Sequence, residues 1–124
     1  MIGRIDESHT DPHYTYVIGS DRISSELHEI NEAVNEKYTQ LQLDYTYNAE
    51  SDPNRFYYRS DHYNFAKHGI PSIFYFSGVH EDYHRPTDTV DKIMFDKAAM
   101  IAQLAFHTAW ELANREQRIK VDRS

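Results

Sequence analysis

The sequence predicts an α/β fold, a layered, mostly parallel or mixed sheet of about three to four strands with helices packed on it. Three observations lead to this fold class. Short runs rich in β-branched and aromatic residues alternate with longer segments of helical periodicity, turn residues separate them, and no segment is repeated. At 124 residues the chain has room for one domain, which can bury roughly two-thirds of the surface of its unfolded chain.

The first half of the chain predicts a strand, a helix and a second strand. Tyr14 to Gly19 is rich in strand-forming residues and stops at a Gly-Ser turn signal. A helix is predicted from Ser24, a favourable N-cap residue, to about Tyr38. Residues 41–47 alternate apolar and polar side chains, as a half-buried strand does. The helix depends on one apolar stripe, made of Ile23, Leu27, Ile30, Val34 and Tyr38.

The second half predicts a short helix, a strand and a long helix. Ser60 to His68 is typical of a short helix, and Gly69 would end it. Ile70 to Phe76 is the most strand-like run of the chain, and a polar loop follows it from Gly78 to Thr89. The long helix runs from about Phe95 to Arg115, with a broad apolar stripe of Met94, Ala98, Ile101, Ala105, Thr108 and Leu112, widened by Phe95, Ala102 and Ala109.

We therefore predict one domain over residues 1–115 and a charged, fraying tail over residues 116–124. The formal net charge of −7, without a basic run, argues against a nucleic-acid partner and against binding to an anionic membrane surface. No stretch of the sequence reaches the ~20 apolar residues that a membrane-spanning helix needs. Cysteine is absent, so any metal must be held by histidine and carboxylate side chains.

The residues that could carry chemistry are concentrated between Arg59 and Thr89. Residues 80–84 match the letters H-E-x-x-H, in which two histidines on one helix face bind zinc and the glutamate acts as general base. Such a helix needs a turn on each side of the motif, and Pro86 removes the turn that should follow. This zinc site stays open as an alternative that requires helical structure across the motif. Its ligands and base would be His80, Glu81 and His84, with Glu111 as third ligand.

The same loop allows a different role for its second histidine. A loop at the carboxyl end of a central strand is where open α/β sheets place ligands. The turn at Pro86 would fix the backbone of His84, and Asp88 could accept a proton from a ring nitrogen, as residues that orient a metal-bound histidine do. A turn-capping role for Asp88 explains its position equally well.

Residues 59–62, Arg-Ser-Asp-His, form a second polar cluster. Asp61 and His62 at a helix start could hold a water molecule or a substrate group. On sequence alone the simpler interpretation is that the Ser-Asp pair caps the helix, His62 lies at the surface and Arg59 forms a salt bridge. His9, in contrast, has no carboxylate pattern around it that predicts a role.

These two motifs resemble those of a known enzyme family. Residues 59–74 (RSDHYNFAKHGIPSIF) and 78–89 (GVHEDYHRPTDT) look like the C-terminal half of the two-zinc aminopeptidases of metallopeptidase family 28, relatives of glutaminyl cyclases and glutamate carboxypeptidases. Residues 1–4, Met-Ile-Gly-Arg, also resemble the segment that follows a strand-end aspartate in that family. The resemblance runs from Met1 to about Asn114, and its two core motifs are specific.

The resemblance implies roles for individual residues. His84 resembles the family's C-terminal zinc-ligand histidine. Asp61 matches the acid of its Ser-Asp-His motif, which lies beside the metals and supports the positioning of substrate or water. The implied reaction is hydrolysis of an N-terminal peptide bond by a water molecule that two zinc ions activate. Arg59 and Tyr83 would line the pocket by their position only, and Asp88 and His62 would support the residues that contact metal or substrate.

The family's other ligands cannot be mapped onto this sequence. They are an early histidine, a bridging aspartate, a glutamate next to a general-base glutamate, and an aspartate directly before Met-Ile-Gly-Arg. Catalytic zinc takes three protein ligands and a water molecule, so one histidine cannot hold two metals. We therefore expect a C-terminal fragment of the peptidase that is inactive on its own and does not retain zinc. Its missing strands would leave a sheet edge and an apolar face open, which predicts self-association.

Three alternatives stay open beside the aminopeptidase. They are a glutaminyl cyclase relative of the same fold, the H-E-x-x-H zinc enzyme, and a non-catalytic α/β module that binds or dimerises. The partners that the resemblance implies are a peptide substrate and the missing N-terminal half of the domain. Members of the parent family are often secreted or periplasmic, although this sequence does not itself indicate a compartment.

Overall fold

The computed structural model describes residues 2–123, and its centre is one three-stranded mixed sheet in the order β2-β1-β3. β1 pairs with β2 in parallel and with β3 in antiparallel orientation. This arrangement confirms the predicted α/β class. The strands are β1 Tyr14–Ile18, β2 Gln42–Asp44 and β3 Phe74–Phe76, and the helices are α1 Ser25–Val34, α2 Tyr63–Ala66 and α3 Phe95–Ala113.

β1 is buried along its whole length because it has a strand on each side and a core on each face. Side chains alternate between the two faces of a strand. One face joins what we call the aromatic core, made of Tyr14, Tyr16, Ile18, Ile23, Phe56, Tyr57, Ala66 and Phe76. On the other side α1 and α3 pack together over the helical core, made of Ile30, Val34, Leu41, Ile101 and Leu104.

The predicted first helix is confirmed, although its last turn differs from an α-helix. Ser24 caps α1 by accepting a hydrogen bond of 3.3 Å from the backbone N–H of Leu27. The helix then continues as a π-helical turn, Asn35–Thr39. The Asn35 side chain stabilises the end of this turn because it bonds both the N–H and the carbonyl of Leu41, at 2.9 and 2.8 Å. Tyr38 is 48% exposed, so its place in the buried stripe was wrong.

Both outer strands are shorter than predicted. In the predicted strand 41–47 only β2 pairs, because Asp44 accepts a hydrogen bond of 2.9 Å from the N–H of Thr46 and turns the chain into a 3₁₀ turn. In the predicted strand 70–76 only β3 pairs. β3 also lies at an edge of the three-stranded sheet, not at its centre as we had expected.

The short helix predicted over residues 60–68 is reduced to the single turn of α2. No side chain caps it, so the expected capping role of Ser60 and Asp61 is wrong. Gly69 follows with a φ of +80° and ends the helical segment as predicted.

α3 packs on the sheet with a face that differs from the predicted stripe. Lys97 and Leu104, which we had not placed in the stripe, are buried beside Ile101 and Thr108. Phe95 is 63% exposed instead of packed. Of the helices in residues 2–123, none combines the length and apolar character that crossing a membrane requires.

The tail that we expected to fray is docked on the start of α1 over its described residues. Asp122 accepts a hydrogen bond of 2.9 Å from the backbone N–H of Ser25. Glu26 accepts one of 2.9 Å from the N–H of Lys120. The first N–H groups of a helix have no partner within the helix and attract a carboxylate, and Asp122 supplies it.

Candidate functional site

The candidate site lies where the N-terminal segment meets residues 77–89, which we call the β3 loop. The Tyr14 hydroxyl joins the two, since it donates to the carbonyl of Ser77 at 2.5 Å and accepts from the N–H of Asp6 at 3.0 Å. Gly78, with a φ of +97°, allows a close approach, because a β-carbon added there would lie 2.6 Å from the β-carbon of Asp6. The two segments are therefore packed directly against each other.

Ion pairs fasten the β3 loop to the N-terminal segment. The Arg4 guanidinium bonds Asp82 at 2.9 Å through Nη2 and Asp88 at 2.7 Å through Nη1. Lys92 lies 3.2 Å from the other Asp82 oxygen. Hydrogen bonds from Thr87 and from Arg4 hold the pKa of the Asp82 carboxyl well below its usual range. Asp82 is therefore ionised at neutral pH, and its ion pairs with Arg4 and Lys92 hold the β3 loop in place.

His80 belongs to this network. Its Nδ1 accepts a hydrogen bond of 3.2 Å from the N–H of Asp82, and its Nε2 lies 3.9 Å from Asp88. Burial, followed by the positive charge of Arg4, lowers the pKa of His80, so the neutral ring predominates at pH 7. Asp88 thus contacts Arg4 and lies beside His80, whereas its predicted role towards His84 stays a prediction.

His84 is exposed on the β3 loop in an unusual backbone conformation. Its φ of +58° is in the left-handed region, which residues with a side chain seldom adopt. Its ring stacks on Tyr83 with centroids 4.0 Å apart, and Tyr83 packs against the aromatic core. A backbone of this kind costs about 1–3 kcal/mol, and Gln40 and Arg55 adopt it as well. The arrangement presents an imidazole, the commonest metal-binding side chain, to solvent from an anchored loop.

The backbone does not support the H-E-x-x-H alternative. Residues 80–84 form turns and not a helix, and the left-handed conformation at His84 interrupts helical geometry. The proposed third ligand lies elsewhere, since Glu111 lines a cleft between α1 and α3 together with Lys37 and Tyr38. The alternative required a helix across residues 80–84, and these residues are not helical.

The second motif packs against β3, the strand that leads into the β3 loop. The His62 ring stacks on Phe74 of β3 with centroids 4.9 Å apart, and burial lowers its pKa. His62 is half-buried, so its placement at the surface was wrong. Asp61 is exposed, and the Arg59 guanidinium lies 4.9 Å from the ring centroid of Phe56. The structure thus gives Arg59 a cation–π contact where we had predicted a salt bridge.

The residues of this chain do not by themselves fit the two zinc ions that the resemblance implies. Within residues 2–123 no group of three or more histidine, cysteine, aspartate or glutamate side chains is arranged to hold a metal ion. Zinc sites in proteins use three or four protein ligands. His84 can supply one such ligand.

Sequence reasoning missed a cluster that supports the site. His9, to which we had assigned no role, lies between two carboxylates, 2.8 Å from Asp6 and 3.0 Å from Asp44. Its ring stacks on Tyr14 at 3.5 Å, and the Tyr16 hydroxyl donates to Asp6. The three-residue spacing of Asp6 and His9 was the only local pattern that could have predicted this cluster. Asp44 gave no such pattern, because it comes from β2, 35 residues further along the chain. The cluster fastens the segment that carries Arg4 to the sheet.

Comparison with models of known protein families identifies a family for most of the chain. A sequence model of peptidase family M28 matches residues 8–109, which include the three strands and both motifs. No curated protein and no solved structure matches the chain significantly.

Proposed function

Because the chain belongs to peptidase family M28, we propose that it forms part of a two-zinc aminopeptidase site in which His84 binds one metal ion. The observation that carries this proposal is the presentation of His84, an exposed imidazole in a left-handed conformation on a fastened loop. Hydrolysis of N-terminal peptide bonds is the reaction that the resemblance to these enzymes implies.

The ion pairs explain how the chain would hold His84 in place. Arg4 bonds the β3 loop before and after His84, through Asp82 and Asp88. Tyr83, the neighbour of His84, packs on the aromatic core. A ligand must be held close to its productive geometry by groups that are themselves fixed, and these contacts supply that support.

Asp61 is our proposed substrate-positioning residue. His62, its neighbour, stacks on Phe74 at the start of β3, and the β3 loop follows the end of the same edge strand, so both motifs adjoin β3. Asp61 is exposed there and is available to a substrate or a water molecule. Arg59 and Tyr83 are further candidates for lining this pocket.

We propose that the chain alone does not hydrolyse peptides, because His84 is one ligand where at least three are needed. The remaining ligands and the general base would come from polypeptide outside these 124 residues, and with them the peptide substrate would bind. Secretion or export to the periplasm, frequent in the parent family, is part of the same proposal.

Complementation tests this function. The purified chain is mixed with a polypeptide that carries the family's other ligands, with zinc, and hydrolysis of aminoacyl p-nitroanilides is followed. We expect no activity from the chain alone and zinc-dependent activity from the mixture. His84→Ala should lower kcat/KM of the mixture by at least about a hundredfold, since even residues behind a metal ligand contribute 10- to 100-fold.

His68→Ala is the matched control, because His68 is another exposed histidine, next to α2 in the sequence and not part of the β3 loop. Full activity of the His84→Ala mixture, or zinc-dependent hydrolysis by the chain alone, would contradict the proposal. The same mixture is given a peptide with N-terminal glutamine. Cyclisation of that peptide without aminopeptidase activity would instead identify a glutaminyl cyclase relative.

A further inference from the structure

α3 has a second apolar face, opposite to the face that packs on the sheet. Phe95, Phe106 and Trp110 are 63%, 58% and 59% exposed. These and three exposed alanines of α3 follow one another at spacings of three or four residues, which places them on one side of a helix. We call this surface the α3 patch, and it comprises Phe95, Ala99, Ala102, Phe106, Trp110 and Ala113.

The α3 patch continues onto the neighbouring helical turn. Phe106 lies 5.3 Å from the ring of His107, which stacks on Tyr38 at 3.9 Å. Tyr38 is itself 48% exposed. Single exposed apolar residues are ordinary on protein surfaces, but a contiguous patch of aromatic rings marks an interaction surface.

We propose that the α3 patch binds the α3 patch of a second copy of this chain, with the two helices antiparallel about a two-fold axis near Ala102. A two-fold interface requires a surface that is complementary to itself. In this register Phe106 of one copy lies over the small Ala99 of the other, and Phe95 meets Trp110 as an aromatic pair. Each aromatic ring of the patch therefore meets either a small residue or another aromatic ring when α3 lies against its own reverse.

The exposed area fits a weak dimer. An aromatic side chain buries about 150–250 Å² when fully covered, so three rings that are three-fifths exposed offer on the order of 500–900 Å² in two copies. The alanines and the flanking helix surface bring this towards the roughly 1,200 Å² at the lower limit of specific interfaces. We expect a dissociation constant in the micromolar range, about 1–100 μM.

Charge and the short length of the edge strands favour the α3 patch over the sheet edges as the dimer interface. The residues of the patch carry no charge, whereas each copy has a formal net charge of −7. Salt screens the repulsion between copies, so added salt should strengthen the dimer. β2 and β3, the edge strands, have three residues each, and short edges are poor templates for pairing.

The only tryptophan of the sequence, Trp110, reports on this interface directly. The protein is measured over a range of concentrations by sedimentation velocity and by tryptophan fluorescence. We expect the emission maximum to shift to shorter wavelength over the same concentrations at which the dimer forms. Phe106→Glu should raise the dissociation constant at least tenfold. Val90→Glu is the matched control, because Val90 is 70% exposed outside the patch and the charge change is the same. A chain that stays monomeric, or a Phe106→Glu variant that dimerises like its control, overturns the proposal.

Orientation is tested by cross-linking, which is simple because the sequence has no cysteine. Ala102→Cys should form a disulfide-linked dimer under mild oxidation, since the two copies of residue 102 lie beside the axis. Ala113→Cys should not, because the two copies of residue 113 lie about 30 Å apart at a rise of 1.5 Å per residue. Equal cross-linking of both variants, or of neither, overturns the antiparallel arrangement. None of these measurements depends on peptidase activity, so they are independent of the proposed function.

Discussion

Gly78→Ala tests how closely the β3 loop is packed against the N-terminal segment. Gly78 has a φ of +97°, and a β-carbon there would lie 2.6 Å from the β-carbon of Asp6. That distance is too short for two carbon atoms, so either the loop or Asp6 must move. Asp6 accepts hydrogen bonds from Ser8, His9 and Tyr16, and its displacement would strain all three.

The expected cost has two parts. A residue with a side chain in the left-handed region costs about 1–2 kcal/mol. Forcing additional atoms into a packed region adds about 1–3 kcal/mol. The free energy of unfolding should therefore fall by roughly 2–5 kcal/mol, which lowers Tm by about 3–6 °C for each kcal/mol in a chain of this size.

Gly69→Ala separates the two parts. Gly69 has a φ of +80° but no heavy atom within 4 Å of an added β-carbon, so it pays the backbone cost without the clash. Urea unfolding of both variants, followed by circular dichroism, gives the difference. We expect Gly78→Ala to be less stable than Gly69→Ala by about 1–3 kcal/mol. Equal losses in the two variants would refute the close packing of Gly78 against Asp6.

Two further predictions concern acid sensitivity and the docked tail. Burial raises the pKa of Asp6, but hydrogen bonds from Tyr16 and His9 outweigh it, so the folded-state pKa is lowered. Ionised Asp6 thus stabilises the fold above its unfolded-state pKa of about 4, and this is lost as pH falls through the lower folded value. In the Asp6→Asn variant the free energy of unfolding, measured with urea, should therefore fall less steeply as the pH is lowered. An unchanged slope would contradict this prediction. Asp122→Ala should lower Tm more than Glu116→Ala, an exposed acid of the same tail, and equal values would mean that docking on α1 contributes nothing.

The elements that could be predicted from sequence were those fixed by local spacing. Ser24 caps α1 as expected because the capping bond spans three residues. Gly69 ends α2 because a positive φ is a property of a single residue. The strand ends could not be predicted in this way, since Asp44 ends β2 through a side-chain bond that competes with strand pairing.

The candidate site was predicted in its motifs but not in its contacts. Arg4 lies 78 residues from Asp82 along the chain, and no spacing rule relates the two. His9 was passed over because one of its two carboxylates, Asp44, comes from β2. The apolar pattern of α3 also fits two faces, and only packing showed that Phe95 lies on the outer one.

The sequence alone determined the α/β class, the Ser24 cap of α1, the stop at Gly69, and the motifs that relate the chain to peptidase family M28. These features depend on periodicity and residue type, which involve only residues close together in the sequence. Tertiary structure decided that Arg4 holds the β3 loop, that residues 80–84 are not a helix, and that the tail is docked. The physical reason is that ion pairs, buried stacking and close approach join residues distant in sequence, and folding alone brings them together.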